Sequence, residues 1–364
     1  MTARVYLRPT AFIDAPFGHN GQALRLAGGL QWFSAVELIT SDYGQRGTVE
    51  LVPVERLDAR IAALPSPQAV EAEAFLGRLL APRTALSLGE RIIRLDQPQV
   101  MAILNVTPDS FSDGGRHAED PAGAADAATA MAAAGAAIVD IGGESTRPGA
   151  QPVWEGDQTA RVLPVIERLA AAGVAMSIDT RNANVAAAAL KAGAAMVNDV
   201  SAGKFDPRML EVVAGAGCPI VLMHHQGQPE TMQQDPRYDD VLLDVYDWLE
   251  DRIAAATAAG IARDRILVDP GIGFGKTLRH NLSVLNGLSL FHGLGCALVL
   301  GASRKRLVGA LAGEAPQDKR LPGSLALALA AAAQGVQILR VHDAEESIQA
   351  LRVWRGLRDS ALTP

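Results

Sequence analysis

The feature that most constrains the fold is a repeated alternation of short apolar runs with alanine-rich segments, which begins near Arg91 and continues to the end of the chain. Apolar runs of strand length that alternate with helical segments are typical of repeated βα units around a parallel sheet. The runs predict eight strands: Val100–Val106, Ala136–Ile141, Val174–Ile178, Ala195–Val200, Pro219–Met223, Ile266–Val268, Ala297–Leu300 and Gln337–Val341.

The segments between these runs have helical character, and most of them end at a glycine, the residue that best adopts a left-handed conformation after the last turn. The predicted helices are Pro121–Ala134, Asp157–Ala172, Ala183–Ala192, Pro207–Ala216, Tyr238–Ala259, Leu278–Leu290, Leu321–Ala333 and Ala344–Arg358. Eight strands with eight crossovers predict an α/β fold of the (β/α)8 TIM-barrel type. An open doubly wound sheet is the alternative, although it rarely needs eight consecutive parallel units.

The first ninety residues do not follow this rhythm. Short mixed runs, a glycine-rich patch and a helical pattern interrupted by Pro65 and Pro67 predict a small α+β extension. We therefore expect two parts, an extension of unreadable role over 1–90 and a barrel over 91–364. A short hairpin, with Ile92–Leu95 turning through Asp96–Pro98, is expected to lead into the first barrel strand.

Composition limits the possible partners and compartment. The 364 residues are 49% hydrophobic and 20% charged, which is enough apolar material for a large core and excludes wholesale disorder. A net charge of -7 gives no overall attraction to nucleic acid or to an anionic membrane, so neither is expected as a partner. The N-terminus lacks a signal-peptide pattern, and Cys218 and Cys296 lie in apolar contexts typical of reduced thiols. These features favour a cytoplasmic protein.

Polar residues follow nearly every predicted strand, where a barrel carries its active site. Asp179, Asn198 and Asp269 stand at three such ends. Each alone has an ordinary interpretation as a helix N-cap, but three on one barrel are harder to explain in that way. Carboxylates and a carboxamide around one cavity suit a flat heterocycle rich in N–H and C=O groups, with Lys305 balancing their charge.

A second set of strand-end residues is cationic. Arg147 follows the second predicted strand, while Arg340 and His342 lie at the eighth, close to it around a barrel. With Asn105 at the end of the first strand, they predict a phosphate or diphosphate pocket, because guanidinium groups bind such oxygens in bidentate fashion.

Other chemistries find less support. The run DPGIGFGK resembles a phosphate-binding loop, but Pro270 occupies the position of its first glycine. His224 and His225 are adjacent, so on an extended segment they point to opposite faces and do not share a metal. No nucleophile has a base at motif spacing, which favours group transfer by positioning and charge stabilisation over covalent catalysis.

The motifs NVTPDSFSDGG, DIGGESTRPG, SIDT, NDV, LMHxxGxPxTMQ, DPGxGFGK, SRK and RVHD occur in this order, and the set closely resembles the dihydropteroate synthase family. The resemblance implies a barrel enzyme that joins p-aminobenzoate to 6-hydroxymethyl-7,8-dihydropterin diphosphate, with release of pyrophosphate, in folate synthesis. It further implies dissociative chemistry, Mg2+ as cofactor, sulfonamide targeting and a homodimer. The chain departs from the family at His225, where methionine is usual, and in its first ninety residues.

Carried over to this sequence, the resemblance assigns three groups of residues. The pterin would be held by Asp179, Asn198, Asp269 and Lys305, with Met223 in the pocket wall. The diphosphate would be bound by Asn105, Arg147, Arg340 and His342, with Asn105 also a Mg2+ ligand. The p-aminobenzoate subsite would be lined by Thr146, Phe274 and Ser303, under loops around Phe111 and Thr146. Catalytic roles fall to Asp179, Lys305, Arg340 and His342.

Two other functions remain open from the residues. A pterin-dependent methyltransferase uses a similar barrel with a corrinoid partner, but the TPDSFSDGG, SRK and RVHD motifs favour the synthase. A catalytically silent pterin-binding paralogue would be expected to have lost its diphosphate residues. Asn105, Arg147, Arg340 and His342 are all present, which favours the enzyme.

Overall fold

The computed structural model describes residues 4–42, 45–107, 120–144, 153–227 and 231–363. Its N-terminal part is a four-stranded antiparallel sheet followed by two helices and a hairpin. The elements are β1 (Arg4–Ile13), β2 (Leu24–Arg25), β3 (Trp32–Asp42), β4 (Gln45–Pro53), α1 (Val54–Ala62), α2 (Ser66–Leu80), β5 (Leu86–Leu88) and β6 (Arg91–Ile93). Strand β3 is central, because it pairs with β1 on one side and with β2 and β4 on the other.

The rest of the chain forms a closed barrel of eight parallel strands in sequence order, as predicted. The strands are β7 (Gln99–Asn105), β8 (Ile138–Gly142), β9 (Met176–Asp179), β10 (Met196–Asp199), β11 (Ile220–Met223), β12 (Ile266–Asp269), β13 (Ala297–Leu300) and β14 (Ile338–Val341). The helices around it are α3 (Pro121–Ala134), α4 (Glu155–Ala171), α5 (Ala183–Ala192), α6 (Met209–Ala216), α7 (Val241–Ala258), α8 (Leu278–Asn286), α9 (Arg306–Leu311), α10 (Leu321–Ala333) and α11 (Ala344–Ala361). Each predicted strand and helix is present with small shifts at its ends, except that the helix predicted over Leu278–Leu290 ends at Asn286, before Gly287, and gives way to a 3-10 helix over Leu288–Leu294. Helix α9 was not predicted.

The barrel strands read as continuous apolar runs because both of their faces are buried. Outward side chains such as Val139 and Ile178 pack against the helices in the larger apolar cluster. Inward side chains follow the period of two: Ile338 is apolar near the amino end of β14, and Arg340 is polar two residues later. The barrel interior is therefore apolar at its amino end and polar at its carboxyl end.

The hairpin before the barrel differs from the predicted one. Strand β6 pairs with β5, not with the first barrel strand, through a two-residue turn in which Gly89 has a φ of 61°. Leu86, Leu88, Ile93 and Leu95 pack on the apolar amino end of the barrel interior. The prediction was wrong because Gly89 permits a tight turn between β5 and β6, and because Asp96–Pro98 leads into β7 without strand pairing.

The N-terminal part packs tightly on the barrel. Phe75 of α2 stacks on Tyr246 of α7 with ring centres 5.4 Å apart, and Tyr6 of β1 meets Tyr246 edge-on at 5.5 Å. Arg4 bridges Asp247 and Glu250 of α7 at 2.6 Å each. These contacts tie the extension to the helix that begins after the loop following β11.

Two further expectations are confirmed. Gly193 ends α5 with a φ of 119°, and a Cβ there would lie 2.6 Å from the Cβ of Ala170, so no other residue fits well. Cys218 and Cys296 are buried free thiols, and burial raises the pKa of each to about 11. Among the described residues, no helix combines the length and hydropathy needed to span a membrane.

Candidate active site

The carboxyl half of the barrel interior brings the predicted polar residues together. Parallel pairing places Asn105 level with Gly142, Gly142 level with Asp179, and Asp179 level with Asn198. On the other side, Met223 pairs with Asp269. Since these positions share the inward side of their strands, the side chains converge on one site.

Asp140 organises the floor of this site. Its carboxylate accepts hydrogen bonds from Ser177 Oγ at 2.5 Å, Asn198 Nδ2 at 2.9 Å and Arg340 Nε at 2.6 Å. The residue is fully buried, so these donors replace the hydrogen bonds that its carboxylate would otherwise make with water. Asp140 stands at a predicted strand end, but no role was predicted for it. An aspartate inside the apolar run IVDIG is the signal that could have found it.

Arg340 joins two carboxylates. Its Nη2 donates to Asp179 Oδ2 at 2.6 Å while its Nε donates to Asp140. Nη1 has no hydrogen-bond partner within the described ranges, and the side chain keeps about a fifth of its surface exposed. One edge of the guanidinium therefore remains available to an incoming oxyanion.

Asp179 carries an acceptor that the described residues leave unpaired, because its Oδ1 is buried with no hydrogen-bond partner among them. Burial raises the pKa of Asp179 to about 7, against the opposing effect of Arg340, and nearby Asp140 adds to the rise. A buried carboxylate oxygen without a donor is costly. A ligand N–H at this point would satisfy it.

Asp269 and Lys305 form the opposite wall. Asp269 Oδ1 accepts from the backbone N–H of Gly271 at 2.7 Å; burial raises its pKa, and Lys305 opposes the rise. Burial lowers the pKa of Lys305 to about 8, while Asp269 favours its charged form. Lys305 Nζ donates to the carbonyl of Ile272 and lies 4.6 Å from the ring centre of Phe274. Lys305, Asp269 and Phe274 are thus adjacent, as the predicted pocket requires.

Ser303 and His342 meet at the ends of β13 and β14. Ser303 Oγ lies 3.2 Å from His342 Nδ1 and accepts from its backbone N–H at 3.2 Å. Beside them, Arg304 donates to Asp343 at 2.9 Å. Met223 is buried at the end of β11. The predicted residues Thr146 and Arg147, and the loop around Phe111, lie outside the described residues.

The magnesium assignment can be tested on the residues around Asn105. A Cβ added at Gly142 would lie 3.5 Å from Asn105 Oδ1 and 3.9 Å from Asp179 Oδ2, so the glycine leaves open space beside two oxygen atoms. No cluster of three or more His, Cys, Asp or Glu side chains suited to a metal occurs in the described part of the chain. Mg2+ is usually held by one or two protein oxygens together with substrate phosphates and water. The oxygen-only donor set fits that mode of binding.

Two buried pairs of side chains beside the site, Lys276–His224 and Arg181–Glu144, had no role in the sequence-based assignment. Lys276 Nζ lies 2.8 Å from His224 Nδ1, which joins the loop after β12 to the loop after β11. Arg181 pairs with Glu144 at 2.9 Å, and its guanidinium lies 4.2 Å from the ring centre of Phe205. Lys276 could have been noticed as the lysine of the DPGIGFGK run, whereas the Arg181–Glu144 pair has no sequence signal.

Known proteins share this chain's sequence and fold. The family model described as pterin binding enzyme matches residues 101–342. The dihydropteroate synthase of Escherichia coli (strain K12) is 47% identical over 260 residues, which is 71% of this chain and 91% of the relative. The enzyme of that name from Neisseria meningitidis serogroup B (strain ATCC BAA-335 / MC58) is 45% identical over 269 residues, 73% of this chain and 94% of the relative.

Solved structures agree with the sequence comparison. A Yersinia pestis dihydropteroate synthase in a sulfonamide drug complex has a TM-score of 0.73 and 45% identity, covering 76% of this chain and 100% of that one. A Xanthomonas albilineans dihydropteroate synthase in complex with 7,8-dihydropteroate has a TM-score of 0.67 and 41% identity, covering 75% and 98%. With the same barrel and the polar residues gathered at its carboxyl end, this chain belongs to the pterin binding enzyme family, among the dihydropteroate synthases.

Proposed function

We propose that this chain condenses 6-hydroxymethyl-7,8-dihydropterin diphosphate with p-aminobenzoate to give 7,8-dihydropteroate and pyrophosphate, a step of folate biosynthesis. The observation that carries the proposal is the convergence of Asp179, Asn198 and Asp269 with two partly buried cations, Lys305 and Arg340. The names of the relatives, and the dihydropteroate bound by one of the similar structures, support the same reaction.

The acids and the amide suit the pterin ring. Asp179 Oδ1 is a buried acceptor without a donor among the described residues, so a pterin N–H would complete it. Asp269 faces Lys305, which leaves a carboxylate and an ammonium on the opposite wall. We propose that Asp179, Asn198, Asp269 and Lys305 fix the ring, with Met223 packing beside it.

The cations suit the leaving group. In the reaction the bond between the pterin methylene carbon and the diphosphate oxygen breaks, both electrons leave with the diphosphate, and the arylamine nitrogen bonds to the carbon and releases a proton. Arg340 Nη1 has no hydrogen-bond partner among the described residues, and His342 lies two residues further along the chain, just after the end of β14. We propose that Arg340, His342, Arg147 and Asn105 stabilise the departing charge.

Magnesium is part of the proposal as a group that neutralises diphosphate charge when bound. Asn105 Oδ1 is the protein oxygen that we assign to it, next to the open space at Gly142. We assign the arylamine to the side of the pocket where Phe274 and Ser303 lie, and the family resemblance adds Thr146 to that subsite. A homodimer and a cytoplasmic location complete the proposal, supported by the family resemblance and by the two reduced thiols.

Turnover by the purified full chain tests this proposal. The pterin diphosphate, p-aminobenzoate and Mg2+ are supplied, and dihydropteroate and pyrophosphate are measured together. Equal amounts of the two products are expected. Lys305→Met should lower turnover at least about tenfold, because it removes a charge-stabilising group. Absence of product from wild-type protein at saturating substrates would favour the silent pterin-binding paralogue instead.

A further inference from the structure

The turn after β12, residues 271–276, has its shape set by side chains. Nearly every carbonyl oxygen in it accepts a hydrogen bond from a side-chain donor outside the local backbone pattern. The pairs are Gly271 with Lys276, Ile272 with Lys305, Gly273 with Gln233, Phe274 with Lys276 and Gly275 with Tyr238. Among the described side chains, Lys276 is the one that holds two of these oxygens. Asn281 adds a bond from the Gly273 N–H and one to the Lys276 oxygen.

Lys276 is enclosed and fully bonded. The residue is 2% exposed, and its Nζ lies 2.8 Å from His224 Nδ1, 2.9 Å from the Gly271 oxygen and 3.3 Å from the Phe274 oxygen. Burial lowers the pKa values of both Lys276 and His224, while Asp269 favours the charged form of the lysine. The contact is a hydrogen bond in either protonation state of the lysine. A charged lysine donates to an unprotonated His224 Nδ1, and a neutral lysine accepts from a protonated one.

His224 gives Lys276 a fixed anchor on the neighbouring loop. Its ring meets Trp248 of α7 edge-on with centres 4.9 Å apart, and the residue is 3% exposed. The two loops also touch through their backbones, because a Cβ at Gly271 would lie 1.8 Å from the His224 oxygen. The anchor therefore holds the turn against α7 and the end of β11.

The turn presents Phe274 to the pocket. The Phe274 ring lies 4.6 Å from Lys305 Nζ, and its own carbonyl is one of the two that Lys276 holds. Among the pterin residues, Asp179 and Asn198 make no contact with the turn within the described residues. Asp269 and Lys305 bond to its Gly271 N–H and Ile272 oxygen, but no hydrogen bond joins either of them to Lys276 in the described part of the chain. Loss of Lys276 should therefore disturb the Phe274 side of the pocket more than the pterin side.

We propose that Lys276, anchored by His224, is a positioning residue that shapes the arylamine subsite through the backbone of Phe274. The proposal rests on the proposed function, because it assigns one of the two substrates to that side of the pocket. Lys276 itself touches no reacting atom. Its effect is to keep the turn in the conformation that receives p-aminobenzoate.

Steady-state kinetics of the full chain test the proposal. Lys276→Met should raise the KM for p-aminobenzoate at least about tenfold, because small misplacements of a binding group have large effects, and should raise the KM for the pterin diphosphate much less. His224→Leu should raise the p-aminobenzoate KM by about threefold, the value of one hydrogen bond, and His224→Gln, which keeps an acceptor, should restore it. In the double variant, His224→Leu should add nothing to Lys276→Met.

Val213→Ala, a buried substitution in α6, is the control for general destabilisation. It should lower Tm without altering either KM. Equal rises in both KM values for Lys276→Met, no change in the p-aminobenzoate KM, or additive effects in the double variant would overturn the proposal. A crystal structure of Lys276→Met tests the positioning role without turnover: the Phe274 ring should leave its place over Lys305, and an unmoved ring would refute that role. Wild-type protein without activity would instead count against the proposed function.

Discussion

Asp140 and Asp179 bind the same guanidinium, but their surroundings differ. Asp140 receives three side-chain donors, whereas Asp179 receives one from Arg340 and keeps a buried oxygen unpaired within the described ranges. Polar atoms that lack partners in a protein interior are often those that a ligand completes. The contrast separates a structural carboxylate from one that we expect to bind substrate.

The raised pKa of Asp179 makes stability depend on pH. Its folded value of about 7 lies above the ordinary value of 3.8, so between these limits the folded protein binds more protons than the unfolded chain. Stability from this group therefore falls as pH rises from 4 towards 7. The stability of Asp179→Asn minus that of wild type should therefore be larger at pH 8 than at pH 5, because only wild type loses stability from this group as pH rises. Urea unfolding at each pH measures the difference. A difference that does not vary with pH would contradict this burial effect.

Asp140 should matter for stability, because its loss leaves the buried donors of Asn198 and Arg340 without their shared acceptor. Asp140→Asn turns an amide donor toward Asn198 or Arg340 and should lower the free energy of unfolding by about 3 kcal/mol or more. Ser177→Ala removes one of the three donors and should cost only about 1 kcal/mol. Urea denaturation of the two variants measures both values. Similar small costs would show that the Asp140 network is not a structural centre.

At the scale of elements, the barrel strands and helices could be predicted because their burial is reflected in their composition. Strands such as β8 are buried on both faces, and Gly135 and Gly193 end their helices with positive φ. The predicted site could be found because parallel strand ends meet. The hydrogen-bond partners within the site could not be predicted. Arg340 binds Asp140, 200 residues away, and sequence spacing gives no measure of that contact. Lys276 was likewise visible, but its contact with His224 depends on loop packing.

The start of α7 shows how the extension reaches the active-site loops. Asp240 caps this helix by accepting from the N–H groups of Leu242 and Leu243, and Arg46 of β4 pairs with it at 2.5 Å. Asp240→Ala should lower the free energy of unfolding by about 1 kcal/mol through loss of the cap. Asp240→Asn keeps the cap and Arg46→Ala removes only a partly exposed ion pair, so each should cost less. Guanidinium unfolding curves give the order, and equal costs for all three would argue against the cap.

For the whole molecule, the extension is expected to be part of one folded unit. Phe75, Tyr6 and Tyr246 form a buried aromatic group across the boundary between the extension and the barrel. Phe75→Ala should therefore destabilise the protein by about 3–5 kcal/mol and shift one cooperative transition. Thermal unfolding followed by tryptophan fluorescence and by circular dichroism checks this expectation. If the barrel keeps its own unchanged Tm while the extension melts separately, the extension is an independent arm.

The barrel as a whole is expected to use one ring of strand ends to place acids around a pterin and cations around its diphosphate. A crystal structure of the full chain with bound pterin diphosphate would show this arrangement directly. We expect pterin N–H groups within hydrogen-bonding distance of Asp179 and Asp269, and diphosphate oxygens near Arg340 and His342. A ligand seated away from the carboxyl end of the barrel, or with its diphosphate turned toward Asp269, would refute it.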